Sequence, residues 1–312
     1  MNNPNKSSKE KRKTFLIRTI ALFLFAFIIL IGAFYLFTLS IPSVTGKCVA
    51  VVDVNYPLSV SGSPPGLLDS GYPGSGQLAG AIRDLNGRDD VGAVVFVVNS
   101  GGGSVVAGGE IRDAIDELDK PSVSYFREVA ASGAYYVASG TDYIISDPNA
   151  LTGSLGVVTT VLSMEGMFEK LGIETVSIQS GDNKDMGSPY ANMSPEQKAI
   201  MQSVVDEVFL EFREDIVEGR EGRLDMELFD EAMDGRIMTG RQAVRVGLVD
   251  EAGDRRNAIM KASELSGHPV DSVDEVKLCP VPLEARGGGM LSSESIIRVL
   301  EASSGFPLLR TG

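Results

Sequence analysis

The sequence predicts an α/β fold built on a largely parallel sheet, preceded by one N-terminal transmembrane helix. Three observations carry this. Apolar runs such as Gly92–Val98 (GAVVFVV) lack polar alternation, as strands buried on both faces require. These runs alternate with segments whose apolar residues recur at helical spacing, the pattern of βαβ units. Residues 19–39 form an uncharged apolar stretch of 21 residues, long enough to cross a bilayer core of roughly 30 Å as a helix.

Taken in order, residues 1–18 carry Lys6, Lys9, Lys11, Arg12, Lys13 and Arg18 against Glu10, a net of +5. The whole chain carries −14, which leaves −19 on everything after residue 18. A basic stub before an apolar run stays in the cytoplasm, so the acidic body is expected on the other side of the membrane. The run is longer than the apolar core of a cleaved signal peptide, and no A-x-A site follows it, so residues 19–39 read as a retained anchor. Residues 40–285 form the extracytoplasmic domain. Residues 286–312, opening with RGGG, read as a flexible or partner-dependent tail.

Within the domain, Lys47–Asp53 reads as a buried strand and Leu58–Gly76, rich in Gly, Ser and Pro, as a loop. Leu78–Leu85 is helical, Gly92–Val98 a strand, and Val105–Leu118 an amphipathic helix. Ser122–Phe126 is a strand, Ser132–Ser139 a helix, and Asp142–Ser146 a strand. Val161–Leu171 reads as a helix and Glu174–Ile178 as a strand. Ser194 caps a long helix to Glu218, with Glu196 and Gln197 in its first turn. Thr239–Val246 is a short helix. Strands with helical crossovers favour parallel pairing.

Composition removes several kinds of chemistry. The acidic body lacks the basic face that phosphate backbones need, so no nucleic acid is expected. One histidine, His268, cannot build a His-rich metal cluster. It sits in a late loop between Gly267 and Pro269, outside every candidate motif. A Ser-His-Asp catalyst is therefore disfavoured. Two cysteines exclude a four-cysteine zinc site. Both Cys48 and Cys279 read as buried small residues, and whether they pair is open. No metal or other cofactor is expected.

Three small-residue segments are candidates for chemistry. Asn99–Ser104 (NSGGGS) follows a strand, and its glycines allow backbone N–H groups to point outward, toward a phosphate or an oxyanion. No Gly-Lys-Ser/Thr follows, so it is not a Walker A loop. Ala130–Tyr136 (AASGAYY) places Ser132 between small residues at a helix start, where a nucleophile or an ordinary N-cap would stand. Ser180–Pro189 (SGDNKDMGSP) holds Lys184 in a polar turn. Burial would lower its pKa and make it a general base, whereas Asp182 and Asp185 close by would oppose that. Since His268 lies elsewhere, a serine nucleophile here needs a lysine partner.

Together these segments resemble the signal peptide peptidase A family of membrane-bound Ser-Lys proteases. That family belongs to the Clp-protease/crotonase-like superfamily, whose fold repeats ββα units. The resemblance covers most of residues 47–255. The family's N-S-P-G-G-S loop reads NSGGGS here, with Gly101 in place of proline. It implies that Gly102 and Gly103 form the oxyanion hole. The A-A-S-G-x-Y-Y segment implies Ser132 as nucleophile. The T-G-S-[IL]-G-V segment, Thr152 to Val157, implies that Ser154 hydrogen-bonds the lysine. The S-G-x-x-K-D-x-G-S-P segment implies Lys184 as base. Gly235–Gly240 and Gly247–Asp250 resemble the closing helix and turn. The resemblance also implies a homo-oligomeric ring on the membrane whose Ser and Lys come from neighbouring subunits.

The expected activity is that of a serine endopeptidase degrading remnant signal peptides after their release from preproteins. Two other readings share the fold. A crotonase-like acyl-CoA enzyme would need a CoA-binding face, and an extracytoplasmic domain argues against it. A non-catalytic membrane scaffold would not need Ser132 and Lys184 in their motifs.

Overall fold

Side chains along β2 (Val91–Ser100) are buried on both faces of the sheet, and this fixes the layering. Val94, Phe96 and Val98 enter one core with Leu78, Ile82, Ile111 and Tyr135. Ala93, Val95 and Val97 enter a second core with Val123, Ile145, Ala258 and Ala262. Helices therefore cover both faces, as the unalternated apolar runs predict.

The computed structural model describes residues 47–66 and 70–281, together with Phe27. The chain divides into two units, Met1–Gly46 and Lys47–Gly312. The basic stub 1–18, the anchor expected over 19–39 and the tail 286–312 lie outside the described residues, Phe27 apart. Among the described residues no helix is long and apolar enough to cross a membrane.

The remaining strands are β1 (Cys48–Val54), β3 (Ser122–Ala131), β4 (Tyr143–Ser146), β5 (Leu151–Gly153), β6 (Ile237–Thr239), β7 (Glu251–Ala252) and β8 (Leu278–Pro280). The sheet runs β6–β5–β3–β2–β1–β8, with β4 bridging β3 to β7. Every pairing is parallel except β5 with β6. One edge of β3 is shared. Its first half, Val123–Phe126, pairs with β4, and its end, Val129–Ala131, pairs with β5.

The helices are α1 (Ser75–Asp84), α2 (Val105–Asp116), α3 (Gly133–Ser139), α4 (Glu165–Lys170), α5 (Pro195–Gly219), α6 (Met226–Ala232), α7 (Gly240–Val246) and α8 (Arg255–Leu265). Capping follows side-chain chemistry. Ser194 accepts from the Gln197 amide and Gln197 answers from its own side chain, closing the box at the start of α5. Tyr135, on the wholly buried α3, packs edge-on to Phe126 at 6.1 Å. Burial of each such ring contributes about 2–3 kcal/mol.

Three expectations need correction. Glu174–Ile178 is not a strand. Its apolar residues face solvent, with Val176 76% and Ile178 97% exposed, because among the described residues no strand pairs with it. The helix read over Val161–Leu171 starts only at Glu165, as α4. Strand β3 runs five residues past Phe126, through the charged Arg127 and Glu128, because β5 pairs with its end.

The candidate active site

Parallel strands β2, β3 and β5 end together, and loops at the carboxyl ends of such strands are where α/β sheets bind ligands. The chain must turn sharply there to enter α2 or α3. At the end of β3 the turn is made by Ser132, at φ 54° and ψ −127°. This is an uncommon conformation for a residue with a Cβ, and one that functional sites retain. Its N–H donates to the Gly153 carbonyl at 2.9 Å, and its carbonyl accepts from Tyr136 N–H at 3.0 Å. Its side chain is half-buried, with no hydrogen-bond partner among the described residues.

The glycine loop packs directly on this turn. A Cβ on Gly102 would stand 2.6 Å from Gly133 N and 3.1 Å from Ser132 Cβ, so only glycine fits. A Cβ on Gly133 would stand 3.4 Å from Gly103 N. A segment not singled out in the sequence holds the loop from the other side. Leu58 N–H donates to the Gly102 carbonyl and the Leu58 carbonyl accepts from Ser104 N–H, both at 2.9 Å.

The outward N–H groups differ from expectation. Gly102 N–H turns inward, donating to Ser100 Oγ at 3.2 Å. Gly103 N–H has no acceptor among the described residues, and neither does Gly133 N–H at the first position of α3. The pair of open donors beside Ser132 is thus Gly103 and Gly133, rather than Gly102 and Gly103.

Ser154 stands next to Ser132. Their preceding residues, Gly153 and Ala131, are register partners in β5 and β3. Ser154 also has positive φ, 49°, and its N–H donates to the Arg236 carbonyl at 2.8 Å. This last bond ties the Gly235–Gly240 segment to the site.

Lys184 forms no hydrogen bond with Ser132 within this chain. It lies exposed in a turn closed by its own N–H to the Gly181 carbonyl at 3.0 Å. Its ammonium makes no hydrogen bond or ion pair with any described residue. Asp185 is held by Ser177 Oγ at 2.6 Å, and the Asp182 carbonyl accepts from Gln197 Nε2 at 3.2 Å. That second bond attaches the lysine turn to the start of α5. A polar cavity of about 300 Å³, lined by Thr175, Ser177, Asp185 and Gln197 among others, lies on this same segment and does not include Ser132.

The far end of α5 is clamped behind the serine turn. Tyr136 hydroxyl donates to the Asp215 carboxylate, and Arg112 Nη2 donates to the Asp215 carbonyl at 3.0 Å. Burial, then the bond to Asp215, pushes the Tyr136 phenol well above its ordinary pKa. One residue past the helix, the fully buried Arg220 forms a two-pronged pair with Asp250, both contacts at 2.9 Å. This gives the Gly247–Asp250 segment its structural role. His268 is exposed, beside the Ser266 carbonyl, and shares no contact with the site.

Cys48 and Cys279 form a disulfide across β1 and β8, with Cα atoms 5.8 Å apart. Asp90 lies beside it, but its carboxylate is taken by Arg88 at 2.7 Å.

Residues 114–268 match the model of peptidase family S49. The chain carries a peptidase S49 domain. The matched stretch contains Ser132, Ser154 and Lys184, while the glycine loop precedes it. Relatives of the S49 domain agree. A protein named as a protease in Methanocaldococcus jannaschii is 36% identical over 59% of this chain and 60% of its own length. A protein of Enterococcus faecium, provisionally named signal peptide peptidase SppA, is 37% identical over 57% of this chain and 52% of its own. Protease 4 of Salmonella typhi is 31% identical over 75% of this chain and 37% of its own. In each case the match takes in less than two thirds of the relative's length.

Proposed function

We propose that this chain is a serine endopeptidase working through a Ser132–Lys184 dyad on a Clp-protease/crotonase-like fold. The observation that carries the reading is the Ser132 turn. A serine held at positive φ stands beside two backbone donors, Gly103 and Gly133 N–H, and neither its hydroxyl nor those amides has a partner among the described residues. Those donors suit the oxyanion of a tetrahedral intermediate, where one good donor contributes roughly 3–4 kcal/mol.

In this mechanism neutral Lys184 Nζ takes the Ser132 Oγ proton as Oγ attacks the scissile carbonyl. The carbonyl oxygen becomes the oxyanion and is held by the two N–H groups. Lys184 then gives the proton to the leaving nitrogen, the C–N bond breaks, and an acyl-enzyme remains. Lys184 deprotonates water, which attacks the ester; Ser132 recovers its proton and the peptide acid leaves. Ser154, adjacent to Ser132, orients the lysine.

The lysine comes from a neighbouring copy in a membrane-attached ring. In support, Lys184 is exposed here, on a segment whose Val158, Leu162, Leu171, Val176 and Ile178 are also exposed. Burying those side chains between copies would also desolvate Lys184, the condition its role as a base requires. The Cys48–Cys279 disulfide supports an extracytoplasmic domain, since disulfides persist in oxidising compartments. Residues 19–39 supply the anchor, and remnant signal peptides are the substrates the resemblance supports.

The test is peptide cleavage by the assembled chain and by Ser132→Ala and Lys184→Ala. Both substitutions are expected to abolish turnover, and activity surviving in either overturns the dyad.

A further inference from the structure

We infer that Ser100 is a positioning residue that sets which N–H of the glycine loop faces the reacting carbonyl. The inference rests on the proposed reading of Ser132 as a nucleophile beside that loop. Ser100 is 4% exposed and sits at the end of β2, in register with Ala130, two residues before Ser132. The ladder shifts between Val98 and Ser100, and Asn99 fills the gap by accepting Val129 N–H at 3.1 Å. That shift brings the Ser100 hydroxyl to the start of the glycine loop.

A hydroxyl has one proton to give. Ser100 donates it to the Tyr56 carbonyl at 2.7 Å, so its oxygen is left to accept Gly102 N–H at 3.2 Å. The direction of both bonds is thereby fixed. Leu58 already takes the Gly102 carbonyl and Ser104 N–H. With Gly102 N–H also held, the one amide from Gly102 to Ser104 without an acceptor among the described residues is that of Gly103. Without the Ser100 oxygen, Gly102 N–H would lose its partner in a buried site. Its peptide plane would be free to rotate, and the Gly103 amide shares the next plane. The same hydroxyl ties in Tyr56, whose chain continues to Leu58, so one side chain holds both walls of the loop.

The experiment compares the full chain with Ser100→Ala and Ser100→Thr. Hydrolysis is measured together with inhibition by a peptide aldehyde and by the matching peptide alcohol. The aldehyde forms a tetrahedral adduct and needs the oxyanion donors; the alcohol does not. Ser100→Ala is expected to lower kcat and kcat/KM on the order of 10- to 100-fold, less than deletion of a donor itself. The aldehyde should weaken by a similar factor, the alcohol by less than about twofold. Ser100→Thr, which keeps the hydroxyl, should recover most of the loss.

Hydrogen exchange at Gly102 gives a readout that needs no turnover. It should accelerate on the order of tenfold or more in Ser100→Ala, as a lost hydrogen bond demands. Unchanged aldehyde affinity or unchanged Gly102 exchange overturns the inference, as does an equal loss for aldehyde and alcohol. Should Ser100→Ala fail to fold, Ser100→Cys, close in size and a poorer acceptor, is judged by the same criteria. Hydrolysis surviving Ser132→Ala would overturn the reading of the site, while exchange at Gly102 would still judge the hold of Ser100.

Discussion

Ser132 and Ser154 share a positive φ that no other non-glycine among the described residues adopts, 54° and 49°. They are also neighbours, joined by the Ser132 N–H bond to the Gly153 carbonyl at 2.9 Å. Two costly conformations side by side persist only where the surrounding structure enforces them. For Ser132 the enforcement is packing: the glycine loop lies on one side and β5 on the other.

Relief of that strain should be measurable. Ser132→Ala keeps a Cβ at positive φ, whereas Ser132→Gly removes the penalty and adds flexibility to the unfolded chain. The glycine variant should be more stable than the alanine variant by about 1 kcal/mol, with both inactive. Thermal unfolding of the two proteins checks this. An equal or lower melting temperature for the glycine variant would mean that Ser132 is not strained.

Sharing of the dyad between copies leads to a complementation experiment. Ser132→Ala and Lys184→Ala chains are each inactive alone. Mixed before assembly, they bring an intact Ser132 from one chain beside an intact Lys184 from another, and cleavage should reappear. Persistent inactivity of mixtures shown to co-assemble would place both residues of each working site in one chain.

What could be read beforehand follows from where each signal resides. The core strand over Gly92–Val98, the helix after it and the Ser194 cap depend on local pattern, and all three appear. Ser132 was legible from its small neighbours, since the tight approach of Gly102 and Gly133 leaves no room for larger ones. The inward turn of Gly102 N–H was not, because it depends on the Ser100 hydroxyl two residues away, which is itself held by Tyr56, 44 residues before Ser100. Glu174–Ile178 misled for the opposite reason. Its Val176 and Ile178 have strand propensity, but pairing is a tertiary property and no strand among the described residues pairs with them. The position of Lys184 is likewise a property of long-range geometry rather than of its motif.

The Arg220–Asp250 pair should dominate the stability of the region behind the site. Asp250 also accepts Ile144 N–H at 2.7 Å, so one carboxylate joins α5, β4 and the Gly247–Asp250 turn. Asp250→Ala would leave a fully buried guanidinium with only the Gly247 carbonyl, a loss of about 3–5 kcal/mol. Urea unfolding should show a lower midpoint. The exposed Arg83–Glu117 pair is the control, and Glu117→Ala should leave the midpoint where it is. Equal effects would mean that the buried pair is no more important than a surface one.

The disulfide joins residues 231 positions apart, so it constrains nearly the whole described domain when unfolded. Its loss should cost about 2–4 kcal/mol. Cys48→Ser should melt lower than the parent, and addition of reductant should lower the parent but not the variant. Thiol titration of the unreduced, denatured chain should find no free cysteine. Two reactive thiols in protein recovered from its own compartment would remove the support that the bond gives to an extracytoplasmic location.

Alkaline pH should destabilise the domain through the two tyrosines that follow Ser132. Burial raises the pKa of both phenols above the ordinary value of 10; the bond to Asp215 adds to the effect at Tyr136, while Arg220 opposes it at Tyr135. In the unfolded chain each loses its proton near pH 10; in the folded chain it does not. Above pH 10 the unfolded state therefore binds fewer protons, and stability must fall as pH rises. Their contribution is complete below pH 10 and is lost on the way up to the folded pKa. The fully buried Tyr135 can add up to about 1.4 kcal/mol per pH unit to this slope. Tyr136 acts in the same direction. Tyr135→Phe removes one titrating group and should flatten the fall in melting temperature between pH 9 and 11, despite lower stability at neutral pH from the unpaired Leu248 carbonyl. An unchanged slope would show that Tyr135 ionises equally in both states.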